Sequence, residues 1–385
     1  MRGHYNYLLA LGGAAAIFAA VGSYTHDVPV SLFDDHVMTR LIFGIVGVTA
    51  LRQSGGPEVI GPQRWNIPFA SFVMAIELVS LAHSEGTRAW GFFAATAAFW
   101  LLAWRTVDVI LAEQASPARY RLLSNLAVPF IFGASLLILW DVLALGLQIP
   151  MVILPAPSAI LIKLFTSLPT LGADFLQTIQ GILAGYVIGC GTGIFVAILI
   201  DRIPFLQRGL LPLGNLVSAL PIVGVAPIMV MWFGFDWQSK AAVVVVMTFF
   251  PQLVNTVAGL AAAGAMERDL MKTYAATYGQ TLFALRLPSA LPFIFNGLKI
   301  NSTLALIGAI VAEFFGTPIV GMGFRINTEV GRMNIDMVWA TIVVAALSGS
   351  LFYGILAFIE KRITFWHASY RQAVSYTHLR AHETL

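Results

Sequence analysis

Gly181–Ile200 reads GILAGYVIGCGTGIFVAILI, twenty residues without a charged side chain. A helix needs about 20 mostly apolar residues to cross the bilayer hydrocarbon, and strands of a membrane barrel would alternate in polarity, which this run does not. The stretch therefore reads as one crossing of an all-α membrane protein. Gly181, Gly185, Gly189 and Gly193 stand four apart and form one smooth ridge on that helix. In lipid, packing rather than water exclusion drives helix association, and small residues let backbones approach. The ridge is a tight intra-subunit seam or a moving one. Cys190, beside it, reads as a small buried filler. Gly189–Gly193 (GCGTG) suggests a dinucleotide loop only superficially, because that fingerprint requires a strand before it and a helix after it.

Nine further runs extend the pattern: 6–24, 38–51, 66–83 and 89–111 in the first third, then 126–147, 210–233, 240–263, 293–316 and 337–360, with the run around the ridge spanning 174–200. The 385-residue chain is 58% hydrophobic and 11% charged, with mean hydropathy +0.82. Soluble chains run at about 45–50% apolar and about 25% charged, so a soluble enzyme and a disordered chain are both excluded. A net charge of +3 is too small for a phosphate-binding surface. One cysteine rules out a disulfide framework and a zinc cluster. The chain has no GxxxxGK[ST] phosphate loop and no HExxH pair, so it is not expected to act as an enzyme or to hold a metal or cofactor of its own.

The positive-inside rule sets the orientation. With the N-terminus in the cytoplasm, sixteen of the 22 basic residues fall inside; Arg40, Arg88, Lys163, Lys240, Arg325 and Arg332 fall outside. Both termini are then cytoplasmic. The polar segment 113–124, with Pro117, divides an N-terminal four-span bundle (1–112) from a six-span domain (125–371). The tail 372–385 fits nothing before it and resembles translated adapter sequence.

One cytoplasmic segment, Met266–Pro288 (MERDLMKTYAATYGQTLFALRLP), is long for a connector. Leu270, Met271, Tyr274 and Tyr278 fall at helical spacing, with Glu267, Arg268 and Lys272 elsewhere on the wheel. The pattern predicts a short amphipathic helix outside the bilayer. Such a helix either lies on lipid headgroups or inserts into a groove on a partner. Leu287-Pro288 and Leu291-Pro292 restart the chain into the next span, where proline's missing N–H costs nothing.

The loop resembles the EAA loop of ABC-importer permease subunits: Glu-Ala-Ala, three residues, Gly, nine residues, Ile, one residue, Leu-Pro. In the preferred register Asp269 stands at the glutamate, Leu270-Met271 at the alanines, Ala275 at the glycine, Leu285 at the isoleucine and Leu287-Pro288 at the Leu-Pro. The other register runs from Thr273-Tyr274-Ala275 to Gly279 and Leu291-Pro292. The likeness extends over roughly 124–371. Leu154–Ser158, Ala219–Pro227 with Trp232–Gly234, Leu287–Ile300 and Ala312–Pro318 resemble, in order, segments of nitrate/sulfonate/taurine-type permeases. Ala284–Ile300 and Ala312–Pro318 lean toward the branch serving vitamin-like precursors such as thiamine pyrimidine precursors and riboflavin.

The resemblance implies a type I importer permease core of six spans with four extra N-terminal spans. It also implies a second permease copy, identical or not, separate ABC ATPase subunits carrying ATP and magnesium, and a periplasmic solute-binding protein. The coupling residues would be Asp269, Leu270, Met271, Tyr274, Ala275, Gly279, Leu287 and Pro288. Polar groups within spans are costly and usually face the bundle interior. Ser218, Asn301, Ser302, Thr303 and Glu313 are therefore candidates to line the path, the alternative being helix–helix hydrogen bonding. Met229, Met231 and Trp232 read as core packing. Arg105 and Asp108 can pair on one helix face, and Glu77 has no evident partner. The rival class is a self-sufficient ion-coupled transporter, whose marks are an inverted repeat and charged midplane sites; neither is visible.

Overall fold

The computed structural model describes residues 2–21, 37–54, 66–83, 90–112, 118–218, 221–316 and 319–366. Among them there are helices and no strand. Six helical stretches are long and apolar enough to cross a membrane: Asn66–His83, Leu126–Gly146, Leu168–Arg202, Trp237–Ala261, Tyr278–Glu313 and Ile335–Ile363. The chain divides into two compact units, Met1–Lys163 and Leu164–Leu385.

The first unit holds α1 (Arg2–Val21), α2 (Val37–Ser54), α3 (Asn66–His83), α4 (Trp90–Ala112) and α5 (Ala118–Gly146), and most of α6 (Pro157–Thr166). Its core gathers Phe43, Met74, Leu78, Phe92 and Leu102. α1 and α2 approach through Gly13 and Gly47; a Cβ on Gly47 would lie 2.8 Å from the Gly13 carbonyl oxygen. Glu77 does have a partner, the Thr39 hydroxyl at 3.1 Å. Arg105 and Asp108 pair at 4.0 Å. Asp141 accepts the Ser158 backbone N–H at 2.8 Å, fixing the start of α6.

The second unit is built around α10 (Trp237–Ala261), which packs against both α7 (Leu168–Arg202) and α13 (Leu287–Glu313). At about 1.5 Å per residue, the 35-residue α7 is roughly 50 Å long and outreaches the hydrocarbon. Its glycine ridge lies on α10. A Cβ on Gly181 would meet the Lys240 Cβ at 2.8 Å, one on Gly185 the Ala241 carbonyl oxygen at 2.5 Å, one on Gly193 the Phe249 carbonyl oxygen at 2.8 Å, and one on Gly189 would strike the Thr248 hydroxyl. The four glycines thus admit α10 to backbone distance, and Cys190 is buried beside them.

The expected continuous span 210–233 is instead two helices, α8 (Pro204–Ser218) and α9 (Ile222–Phe233). Pro221 caps α9 in an extended conformation; it cannot donate to a preceding turn and disfavours helix in the residue before it. Met229 packs against Ala226, Val243 and Ala312. Met231 and Trp232, expected in the core, are instead 82% and 69% exposed. α11 (Ala265–Thr273) and α12 (Tyr278–Thr281) follow α10, and a π-helical turn, Leu282–Arg286, leads into α13. α14 (Met322–Gly331) and α15 (Ile335–Ile363) complete the unit. α10 and α13 run between the two ends of the unit, so α11 and α12 mark one end and α14 the other.

Candidate functional site

At the first end, α11 has no buried residue. Met266, Leu270 and Tyr274, each four apart, are 82%, 54% and 77% exposed. Asp269 pairs with Lys272 at 2.9 Å, but both are well exposed, so the pair contributes little to stability. The apolar stripe is therefore presented outward, and none of its residues is buried against the described residues.

The helix is shorter than its sequence spacing suggested. It ends at Thr273, and the chain turns through Ala275, whose φ is 49°. Ala276 N–H donates to the Met271 carbonyl at 3.0 Å and Ala275 N–H to the Lys272 carbonyl at 2.8 Å. These two bonds define a Schellman stop, in which the left-handed position normally belongs to glycine. α12 then starts on a capping box between Thr277 and Gln280. Tyr278, expected on the same face as Tyr274, thus belongs to the next helix and turns inward. Gly279 is exposed, with nothing within 4 Å of the place a Cβ would occupy. Leu287 and Pro288 occupy the first turn of α13.

Behind this loop sits a clasp. Arg286, the last residue of the π-helical turn, donates from both terminal nitrogens to the two carboxylate oxygens of Asp201 near the end of α7. Its Nε donates to the Leu260 carbonyl on α10 at 3.0 Å. The Tyr278 hydroxyl donates to Asp201 Oδ2 at 3.0 Å, and Arg202 lies 5.5 Å over the Tyr278 ring.

Between the ends, polar side chains are tied to one another. Asn301 Nδ2 lies 3.0 Å from the Thr248 carbonyl, 3.2 Å from Gln252 Oε1 and 3.3 Å from the Cys190 sulfur. Ser302 donates to the Lys299 carbonyl at 2.7 Å, and Lys299 pairs with Glu360 of α15 at 2.6 Å. Asn301 and Ser302 are buried within the unit, while Thr303 is exposed. Ser218 ends α8, and its side chain lies outside the described residues.

At the far end, Glu313 and two side chains of α7 cap α14. Gly321 N–H donates to Asp174 Oδ1 at 2.9 Å, Met322 N–H to the Thr178 hydroxyl oxygen at 2.9 Å, and Gly323 N–H to Glu313 Oε2 at 2.7 Å. Thr178 in turn donates to Glu313 Oε1 at 2.8 Å. Carboxylates suit a helix N-terminus because its free N–H groups and dipole are positive there. Arg325 Nε donates to Asp174 Oδ2 at 2.8 Å, which with burial opposing it and Glu329 assisting raises the guanidinium pKa further. Burial pushes Glu329 up, but the Asn334 amide at 2.8 Å and the charges of Arg332 and Arg325 outweigh it and leave the carboxyl below its ordinary range. The buried Lys240 ammonium donates to the carbonyls of Phe235 and Asp236 at 2.6 and 2.9 Å.

The sequence reading passed over Asp174, Asp201, Lys240, Arg286 and Glu329. Their signal is a charge at the margin of an apolar run; Lys240 and Glu329 find partners within five residues, but Asp174 pairs with Arg325 and Asp201 with Arg286 across the fold, the latter two 85 residues apart. Among the described residues no group of His, Cys, Asp and Glu could hold a metal ion.

Residues 185–365, from the ridge through α15, match the family of binding-protein-dependent transport system inner membrane components. Over 242 residues, 62% of this chain and 95% of the relative, the sequence is 31% identical to the formylaminopyrimidine transport permease protein ThiX of Halalkalibacterium halodurans. The chain belongs to this family of transport permeases. The permease is also 28% identical over 236 residues to the riboflavin transport system permease protein RibX of Chloroflexus aurantiacus, covering 61% of this chain and 88% of the relative. It is 28% identical over 235 residues to the taurine transport system permease protein TauC of Escherichia coli, covering 59% and 85%. It is thus an ABC-importer permease of the nitrate/sulfonate/taurine type, a multi-pass membrane protein and not an enzyme. The relatives support this reading and not the self-sufficient ion-coupled one.

Proposed function

We propose that this permease carries a small organic solute through the inner membrane in a complex of two permease copies, separate ABC ATPase subunits and a periplasmic binding protein, and that α11 is the helix the ATPase grips. ATP and magnesium reside on the ATPase. The observation that carries the reading is the outward apolar stripe of α11, closed by a left-handed stop at Ala275. A solvent-facing helix with an unpacked apolar face fits a groove on a partner. The stop supports the register that sets Asp269 at the head and Ala275 at the glycine position, since a positive φ is what glycine supplies; Gly279 has no such φ. Coupling then runs through Asp269, Leu270, Met271, Tyr274 and Ala275, with Leu287-Pro288 re-entering the membrane.

The loop end is cytoplasmic and the α14 end periplasmic in this reading, with both termini cytoplasmic. Glu313 is a structural cap rather than a gate, Asn301 ties α13 to α10 and α7 rather than facing the solute, and Ser302 bonds the Lys299 carbonyl of its own helix. Thr303 keeps an exposed side chain for the path or for the second copy. Residues 1–112, ahead of the linker 113–124 and the permease domain 125–371, serve assembly in this reading, with α5 of that domain packed in the same compact unit. Formylaminopyrimidine and riboflavin, named in two of the relatives, make a flat nitrogen heterocycle the first cargo to test.

Reconstitution in proteoliposomes tests the proposal. Uptake of radiolabelled solute should require the permease, the ATPase, the binding protein and internal ATP together. Uptake by the permease alone under an ion gradient would refute it.

A further inference from the structure

The coupling loop is not a free-standing handle. Four groups from four elements of the unit converge at its root: Asp201 near the end of α7, the Leu260 carbonyl near the end of α10, Tyr278 on α12, and Arg286 at the start of α13. Arg286 uses three of its five N–H donors here, two on Asp201 and one on Leu260, so the guanidinium plane is fixed in two directions. Paired N–H donors on a carboxylate hold both orientation and distance, which a single point charge does not. Both side chains are largely withdrawn from solvent, at 18% and 13% exposure, so the pair escapes the screening that makes surface ion pairs weak.

The backbone around Arg286 is unusual as well. Leu282–Arg286 is a π-helical turn inserted between α12 and α13. Such a turn adds a residue to the helical repeat and is frequent at functional positions. It lets α12 present Tyr278 to α7 while α13 presents Ala290 and Ile294 to Leu260 of α10. The loop root is thereby bound to all three helices that form the centre of the unit.

We infer that Asp201 and Arg286 are the joint that transmits displacement of the ATPase-gripped loop to α7, and through its glycine ridge to α10. They are positioning residues: neither would touch solute or nucleotide. This rests on the reading of α11 as the docking helix. Without the clasp, the loop would follow the ATPase while α7 stayed behind.

The test uses the full complex with its ATPase and binding protein. Asp201→Asn and Arg286→Gln should each lower solute uptake and binding-protein stimulation of ATP hydrolysis about tenfold, the order expected for loss of a charged fork. The ATPase should still co-purify with the permease and keep its unstimulated rate. The combined variant should be no worse than the worse single, because both remove one shared interaction. Tyr278→Phe, which leaves no charge unpaired, should lower stimulation about two- to threefold. Wild-type uptake in Asp201→Asn and Arg286→Gln would overturn the inference, as would loss of the ATPase from these variants, which would make the pair a scaffold for docking. If the wild-type complex itself fails to retain the ATPase, the docking reading fails instead.

A measurement on the unmutated clasp stands apart from variant folding. With Cys190 replaced by alanine, spin labels at Met266→Cys and Ile203→Cys report the separation of α11 from the end of α7. That distance should be unchanged between ATP-free and ATP-bound complexes. A shift of about one helical turn, roughly 5 Å, would overturn the joint.

Discussion

Glu313 closes α13 and, at 2.7 Å, accepts the backbone N–H of Gly323 in the first turn of α14. A Cβ on Gly323 would lie 2.8 Å from the Glu313 Cβ and would strike the Ile310 carbonyl. The carboxylate and the absent side chain are therefore one device: the helix start is brought against α13 closely enough for its N–H groups to be the partners of a buried acid.

Removing that acid should be costly. Glu313→Ala strands the Gly323 N–H, takes one acceptor from the Thr178 hydroxyl, which keeps the Asp174 carbonyl at 2.9 Å, and removes one of the two carboxylates whose charge the buried Lys240 feels. We expect a loss of about 2–4 kcal/mol, with Glu313→Gln losing less because its amide oxygen still accepts. Thermal unfolding in nanodiscs checks both. Equal stability of Glu313→Ala and wild type would contradict the capping role.

Glycine at position 275 should improve the stop after α11. Alanine at φ 49° carries roughly 1 kcal/mol of strain that glycine does not. Ala275→Gly should slow hydrogen exchange of the Ala276 amide, which is bonded to Met271. Ala275→Val, with a branched side chain at a positive φ, should speed it and fray α11. The reverse order would remove the case for the Schellman stop.

The ridge makes a sharper demand. Gly185→Val would drive its side chain into the Ala241 carbonyl and the Val244 side chain, each 2.5 Å from the first added atom. Overpacking of this kind costs about 1–3 kcal/mol or more. Gly191 faces open space on the same helix, so Gly191→Val should be tolerated. Comparing the yield of folded protein from the two variants separates packing from a general intolerance of bulk in α7.

Acid should loosen α14. Glu329 is held below its ordinary carboxylate range by Asn334, Arg332 and Arg325 against the opposing effect of burial. A depressed folded pKa contributes stability that is present above the unfolded value, 4.5, and is lost as the pH falls through the folded one. Stability measured across pH 3–6 should therefore fall on the acid side of about 4.5, and Glu329→Gln should flatten that limb without steepening any other. An acid limb of wild-type size in Glu329→Gln would assign it to another group.

Much of this was legible in the sequence because lipid leaves the chain few options. Twenty uncharged residues cannot lie in water, and an interval of four between glycines can only make a ridge on a helix. The amphipathic helix α11 was legible from its apolar spacing, and the family pattern from Asp269, Leu287 and Pro288. Two kinds of fact were not. One is local chirality: nothing in the letters at Tyr274–Ala276 announces that an alanine takes a left-handed conformation, so the apolar spacing alone extends the helix one turn too far and puts Tyr278 on the face of Tyr274. The other is long-range pairing. Asp174 with Arg325, Asp201 with Arg286 and Lys299 with Glu360 join residues on different helices. A charge near a span end reads as a solvated flank until the fold brings its partner. Glu313 shows the same limit: Gly323 supplies a partner for it only once α14 folds back.

The account turns on α11 being gripped from outside the chain. The most direct measurement is cysteine cross-linking in the assembled complex, with Cys190→Ala as background and single cysteines at Met266 or Leu270, both exposed on that helix. Each should join the permease to the ATPase in high yield from the cytoplasmic side, while Leu270→Asp, which disturbs no buried contact, should abolish co-purification of the ATPase and leave membrane insertion unchanged. Modification of Met266→Cys by a membrane-impermeant reagent from the periplasmic side, or an ATPase that stays bound to Leu270→Asp, would contradict it.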